Sequence, residues 1–482
     1  MKRHLTFTTG LVLVIYPVIV SAQGPAAPPP PSTTQANIPQ SGLTFGASPE
    51  QFQGSVPSGQ ATAAPIPLSL EDAIARGLKT NLGLLVRDTG NQLARIERKR
   101  ALINLLPDIQ GSAQATEQQL DLASFGFHFA GVPSVIGPFH YVGAQAALGQ
   151  TVFDWTALKN KLSADQNQKA AQLSVEDGRD LVVQAVASAY LQIISDAARI
   201  EATKAVVATA QALYQRAHDQ HVAGVSPAID ELRSQVELKT QQQVLLAQQN
   251  QSDKDKLALG RVIGLASGQD FSLTDTVPYR PLESLAPADA LHQALETRAD
   301  YRSALMQVRA AESARVAVLA ERYPTLGLAA NYGDIGENFN NSHGIFTVTG
   351  SLKFNIFDSG RIRSDIDQAD AIIQQRRNEL ADLQGQIDFQ IRAALLDLKT
   401  AADQVAVSQD NLNLANQTLE QARDRFAAGV ADNIEVVQAQ ESVANANQSL
   451  ISSIYMHNLA KVSLARAIGA TATNLQKFMG GN

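Results

Sequence analysis

The chain of 482 residues contains no cysteine. That excludes disulfides, thiolate metal sites and a thioether-linked lipid on a mature N-terminus. Aromatic residues make up only 5%, with a single tryptophan, while Ala and Gln are abundant. Such a composition favours helices packed closely through small side chains over one large globular core. Beyond the N-terminal segment no run approaches about eighteen consecutive apolar residues, so a mature chain that crosses a membrane would do so as a β-barrel. Net charge is −7 without a basic cluster, so nucleic acid is not an expected partner. Phosphate loop, nucleophile elbow, HExxH helix and paired His–carboxylate spacing are all missing, and no catalytic residue, metal ligand or cofactor is expected. His128 and His140 flank an expected loop, where histidines are ordinarily just solvated.

The first residues read "MKRHLTFTTGLVLVIYPVIVSAQG". Lys2 and Arg3 precede a short apolar run from Leu11 to Val20, and Val20-Ser21-Ala22 is a small-residue cleavage pattern. This predicts a signal peptide over residues 1–22 and a mature chain outside the cytoplasm. Residues 23–66, rich in Pro, Ser, Gln, Ala and Gly, predict a flexible segment with too little apolar surface to order itself.

The remainder is written twice. "HVAGVSPAIDELRSQ" at 221–235 returns as "FAAGVADNIEVVQAQ" at 426–440, with Gly224 and Gly429 placed 205 residues apart. Each glycine can take the left-handed conformation that ends a helix. Ser226 and Pro227 then suit the start of the next helix in the first copy. In the second, Asp432 is the expected N-cap, with Glu435 completing a capping box. Upstream, Val405, Ser408, Leu412, Ala415, Leu419, Ala422 and Phe426 step by three and four. Ile200, Thr203, Val207, Ala210, Tyr214, Ala217 and His221 do the same in the first copy. That stagger is a coiled-coil seam, so each copy predicts an antiparallel helical hairpin.

Ahead of each hairpin lies strand character. In "IFTVTGSLKFNIF" (345–357), Phe346, Val348, Leu352, Phe354 and Ile356 share one face, and Thr347, Thr349, Ser351, Lys353 and Asn355 the other. "TLGLAANYGD" (325–334) alternates likewise, and "HYVGAQAALGQTVF" (140–153) is a candidate in the first copy. Residues 108–124 alternate poorly and make the least distinct strand. Helices stop before these segments at Leu106-Pro107 and Tyr323-Pro324, since proline forces its predecessor out of the helical region. Each copy therefore reads helix, strand, strand, helix, helix. The first repeat spans 67–265 (strands about 108–153, tip about 222–228), a linker 266–286, the second repeat 287–475 (strands about 325–357, tip about 427–433), and a tail 476–482. Four strands cannot close a membrane barrel, for which about eight are the minimum, whereas three copies would supply about twelve.

This arrangement resembles the TolC-like outer-membrane efflux protein family. The resemblance runs from Leu68 to Leu475 and rests on the duplicated turns, the "VFD" and "IFD" strand-to-helix junctions at 152–154 and 356–358, and "RVIGL" (261–265) and "RAIGA" (466–470) closing the halves. It implies a mainly α fold with a transmembrane β-barrel: a homotrimer whose twelve-stranded barrel sits in outer-membrane lipid and continues into a long α-helical periplasmic tunnel. It also implies a duct that passively conducts cargo delivered by an inner-membrane transporter through a periplasmic adaptor, in an efflux pump or type I secretion system. By the same resemblance Gly224, Val225, Gly429 and Val430 are expected at adaptor-docking tips. Glu435 and Asp230, with Gln438 and Asp432, are expected near the pore constriction. Glu435 matches a family carboxylate, whereas Gln438 stands where another member has a second one.

Other readings stay open on the residues alone. Glu435 could serve only the capping box and Asp230 only the positive helix start. The glycines turn the chain whether or not anything docks there. A periplasmic coiled-coil structural or adaptor protein without a pore would share the hairpins, though it has no use for four amphipathic strands.

Overall fold

Ser69, Asn81 and Asp154 cap the starts of the first three helices, and glycines in the left-handed region follow the ends of several helices. The computed structural model describes residues 52–471, except 129, 276–277, 283–284, 429 and 431–432. The expected signal peptide and the tail 476–482 lie outside the described residues.

The elements are β1 (Ile66–Leu68), α1 (Leu70–Thr80), α2 (Leu82–Ile103), β2 (Asp108–Asp121), β3 (Val135–Phe153), α3 (Trp155–Val222), α4 (Ala228–Val262), β4 (Phe271–Leu273), α5 (Pro287–Thr297), α6 (Ala299–Ala320), β5 (Thr325–Gly336), β6 (Ser342–Lys353), α7 (Arg361–Ala427) and α8 (Asn433–Ala467). The duplicated plan is present, with a short strand and an extra short helix ahead of each copy. Two compact units emerge: residues 107–150 with 327–351, and the rest of the described chain.

The first unit is a four-stranded sheet in the order β2-β3-β5-β6, leaving β2 and β6 as open edges. The indistinct strand, β2, pairs antiparallel with β3 along nearly its whole length. Its register shows why the alternation is faint. Ile109, Ala113 and Ala115 lie opposite Leu148, Ala144 and Val142, while Gln110, Ser112 and Gln114 lie opposite Ala147, Gln145 and Gly143. The apolar face is built largely from alanine, whose signal is weak. On β5 and β6, a Cβ at Gly327 would meet Ser351 and one at Gly344 would approach Tyr332, so the two strands share their faces as the alternation predicts. Strand β6 ends at Lys353 rather than at Phe357, so Phe354 and Ile356 lie beyond it. The chain is turning there: Ser359 and Gly360 both have positive φ, and the Asp358 carboxylate accepts from the N–H groups of Gly360 and Ile362. In the first copy Asp154 caps α3 directly by accepting from Ala157, which makes the "VFD" and "IFD" junctions unequal.

The second unit is helical. Helix α3 has 68 residues and α7 has 67, roughly 100 Å each at 1.5 Å per residue. The expected seam residues on both are buried or half-buried, and α3 packs on α4 as α7 packs on α8. The middle of α3 is apolar enough by composition to cross a membrane. Its Val182, Val186, Tyr190 and Ile193 are instead buried with Leu68, Leu259, Ile263 and Phe271. The second copy repeats this core with Ala290, Ala294, Ile387, Ile391, Leu464 and Ile468.

The "RVIGL" and "RAIGA" motifs close their halves by one device. Gly264 and Gly469 adopt φ of 67° and 71°. The Thr80 hydroxyl donates to the Ile263 carbonyl at 3.0 Å, and Thr297 to Ile468 at 2.7 Å. Each half thereby ties the end of its last helix to the end of its first. The halves are joined by a buried ionic chain. Asp177 receives Arg87 on one carboxylate oxygen and Arg466 on the other, both at 2.5 Å, while Arg298 binds Asp300 at 2.6 Å. Burial alone would raise the Asp300 carboxyl, but hydrogen bonding and charge from Arg298, with Arg466 behind it, hold it below the usual carboxylate range.

Two expectations need correction. The flexible segment 23–66 does not extend to residue 66, because Phe52 is 2% exposed in the core and Asn81 Nδ2 donates to its carbonyl at 2.7 Å. Phe52 anchors the start of this strap in the core, and Ile66 packs against the same cluster at its end. Nor is 266–286 a plain linker. β4 pairs in parallel with β1, and the buried Lys461 ammonium donates to the Arg280 carbonyl at 2.5 Å. A buried cation must find an acceptor, and this one pins the connecting segment. Beside it, burial and Lys461 push the His457 imidazole down to about 4.

Candidate functional site

The residues expected to dock a partner and to line a constriction all fall at the two hairpin tips. At the first, α3 ends in a Schellman turn: the N–H of Gly224 bonds His221 and that of Val225 bonds Gln220, both at 2.9 Å. Gly224 has φ of 71° with open space around it, so glycine serves the backbone there and not packing. Val222 and Val225 are 72% and 76% exposed. Helix α4 starts at Ala228 with Pro227 at the N-cap and no side-chain cap. The expected cap Ser226 is one residue too early, and proline with its extended backbone occupies the position instead.

The first tip carries its own polar clasp. His218 Nδ1 donates to Glu231 at 2.8 Å, and His221 Nδ1 donates to the Ser226 carbonyl at 3.2 Å. Asp230, in the first turn of α4, lies 3.7 Å from Arg233. A shallow groove on α3 beside the turn is lined by Ala212, Arg216, Asp219, Ala223 and Val225.

The second tip repeats the turn with different side chains. The Val430 N–H bonds Arg425 at 3.0 Å, the counterpart of Val225 with Gln220, and Val430 is 67% exposed. Gly429 and Asp432, and with Asp432 the expected capping box, lie outside the described residues. Glu435 reaches across the turn to Arg425, at 3.6 Å. Next to it Val436 is fully buried with Ala422 and Ala439, against Leu213, Leu419 and Phe426. Gln438 is exposed one turn on.

The two tips touch each other. The Arg216 guanidinium of α3 lies over the Phe426 ring of α7 at 5.2 Å, a cation–π contact. Sequence reasoning missed Arg216, Arg425, His218 and Glu231. The spacing of His218 and His221 on one helix face was the available signal for the last two. Chemically, the tips offer the exposed valines Val222, Val225 and Val430 and the carboxylates of Asp230 and Glu435, each with an arginine of its own.

The family model for outer membrane efflux protein matches residues 87–265 and 290–470. The chain is 24% identical over 436 residues to the probable efflux pump outer membrane protein SepC of Pseudomonas putida, covering 84% of each. It is 27% identical over 325 residues to the cation efflux system protein CusC of Escherichia coli, covering 65% of this chain and 69% of that one. In fold it is similar to the CmeC outer membrane channel of Campylobacter jejuni, with a TM-score of 0.73, 15% identity, and coverage of 89% of this chain and 95% of that one. Two matched stretches, each a repeat with its own hairpin, account for most of the chain, and the protein belongs to the outer membrane efflux protein family.

Proposed function

We propose that this protein is the outer-membrane channel of a tripartite efflux pump, passively conducting cargo delivered by an inner-membrane transporter and a periplasmic adaptor. The observation that carries this is one chain holding both a four-stranded sheet with two open edges and two matched hairpins. Open edges demand partners. Three copies joined β6 to β2 would close about twelve strands into a barrel in outer-membrane lipid, since about eight is the smallest such barrel. Six hairpins would then build the periplasmic tunnel. A pore-free coiled-coil protein would leave the sheet without a purpose.

Within that assembly, Val225 and Val430 beside Gly224 and Gly429 form the surface an adaptor grips. Glu435 and Asp230, with Gln438 and Asp432 nearby, line the narrow periplasmic end, where threefold symmetry turns each carboxylate into a ring. Residues 1–22 act as the export signal, and 67–265 and 287–475 as the two repeats. Relatives include a toluene efflux pump protein and a cation efflux system protein. Such unlike cargoes suit a passive duct whose selection is made by the transporter.

The test is reconstitution. Protein extracted from outer membranes should run as a trimer until heated, and should give stepwise conductance in planar bilayers. Recovery as a soluble periplasmic protein without conductance would overturn the reading.

A further inference from the structure

Midway along the first hairpin, α3, α4 and α8 meet where a buried acid, Asp196, stands beside a half-buried one, Asp255. Asp196 on α3 is 4% exposed. One of its carboxylate oxygens accepts from Gln192 Nε2 at 2.9 Å and lies 3.9 Å from Arg199. The other is buried and receives no N–H or O–H from the protein. Asp196 faces the carboxyl of Asp255 on α4, which is itself steadied by Gln251 at 3.1 Å. The charged and titratable groups facing Asp196 are Asp255 from α4, Arg199 from its own helix and Tyr455 from α8. Two ionised carboxylates are acceptors only, and cannot approach in a buried site unless something positive lies between them.

The duplication shows that this pair is not needed for packing. The positions 205 residues later are Ala401 and Ala460, both buried in the second hairpin. The same helix crossing is therefore made once with alanines and once with acids.

We propose that Asp196 and Asp255 hold one proton between them, pinning α4 to α3 in the first hairpin alone, so that this hairpin loosens as the pH rises while the second does not. Burial and the neighbouring Asp255 raise the Asp196 carboxyl to about 6, against the opposing pull of Gln192 and Arg199. The same burial and the same two acids raise the Tyr455 hydroxyl, so it stays a neutral donor beside them. The sign follows from linkage. A carboxyl whose folded value is raised contributes stability at low pH, and that contribution is lost as pH climbs from the unfolded value through the folded one. The inference concerns helix packing and is independent of what the protein conducts.

Hydrogen–deuterium exchange of the full-length protein in detergent tests it, with rates corrected for intrinsic pH dependence. Peptides around 190–200 and 250–260 should lose about tenfold in protection between about pH 5 and about pH 8, and peptides around 395–405, on the second hairpin away from the pair, should not. The double variant Asp196→Ala/Asp255→Ala, which installs the residues of the second hairpin, should abolish the difference. Infrared spectra of the parent protein should show a protonated carboxyl band that bleaches over the same range and is missing from the double variant. A flat parent profile, an unchanged slope in the variant, or absence of that band would overturn the proposal. Protection lost on adding EDTA and restored by Mg²⁺ or Ca²⁺ would also overturn it, by placing a metal cation where the proton is proposed.

Discussion

Arg425 and Glu435 face each other across the second hairpin turn, guanidinium to carboxylate at 3.6 Å. The acid expected to line a pore is thus already paired, on a part of the protein where both side chains are substantially exposed. An exposed pair of this kind contributes little to stability, about 0–1 kcal/mol, but in the proposed trimer each member would set the charge of a ring. Glu435→Gln should lower cation preference in planar bilayers and relieve block by multivalent cations. Arg425→Gln should do the reverse, because it leaves the carboxylate uncompensated. If neither substitution moves selectivity, the pair only braces the turn.

The faces of β6 make a second prediction. Val348 and Leu352 lie on its apolar side, and Thr349 and Ser351 on the other. Arginine at Val348 or Leu352 should cost about 2–4 kcal/mol in lipid near the midplane, read as loss of the heat-resistant trimer. Arginine at Thr349 or Ser351 should be accommodated in the aqueous lumen. Equal damage on both sides would remove the barrel assignment for this strand.

Docking at the tips predicts that Asp at both Val225 and Val430 abolishes export while the trimer and its conductance persist. Site-directed cross-linking to the adaptor should fall in parallel. Normal cross-linking with normal export would mean that the glycine turns serve only to reverse the chain.

The buried ionic chain gives a stability prediction. Asp177→Ala leaves Arg87 and Arg466 buried without their shared carboxylate, a change that costs about 3–5 kcal/mol when one partner of a buried pair is removed. Circular dichroism at fixed detergent concentration should show a lower melting temperature. Restoring shape without charge, by Asp177→Ala with Arg87→Met and Arg466→Met, should recover most of the loss. A single variant that melts with the parent protein would show that Asp177 does not join the halves.

Much of this was legible in the residues. Gly224 and the seam positions needed only local backbone rules, and the strong alternation on β6 disclosed its two faces. β2 was faint because its apolar face is written in alanine, which carries little hydrophobic signal until a partner strand supplies the register. The short helices α1 and α5 were merged with their successors because the breaks at Asn81 and Arg298 leave the helical periodicity almost intact. Phe52 gave no periodic signal, and the carbonyl that helps hold it accepts from Asn81, 29 residues away. The pairing of Glu435 with Arg425 depends on the path of the turn, which the spacing of the residues does not disclose.

The near-identity of helix lengths has a consequence for how such a chain can change. α3 and α7 differ by one residue, and α4 and α8 both have 35. Removing one turn from α3 and α4 alone would retract the first tip by about 5.4 Å. That would slide Arg216 off Phe426 and leave the two tips at different heights. The four helices therefore work as paired struts cut to one gauge, and a viable insertion or deletion has to be made in all of them at once.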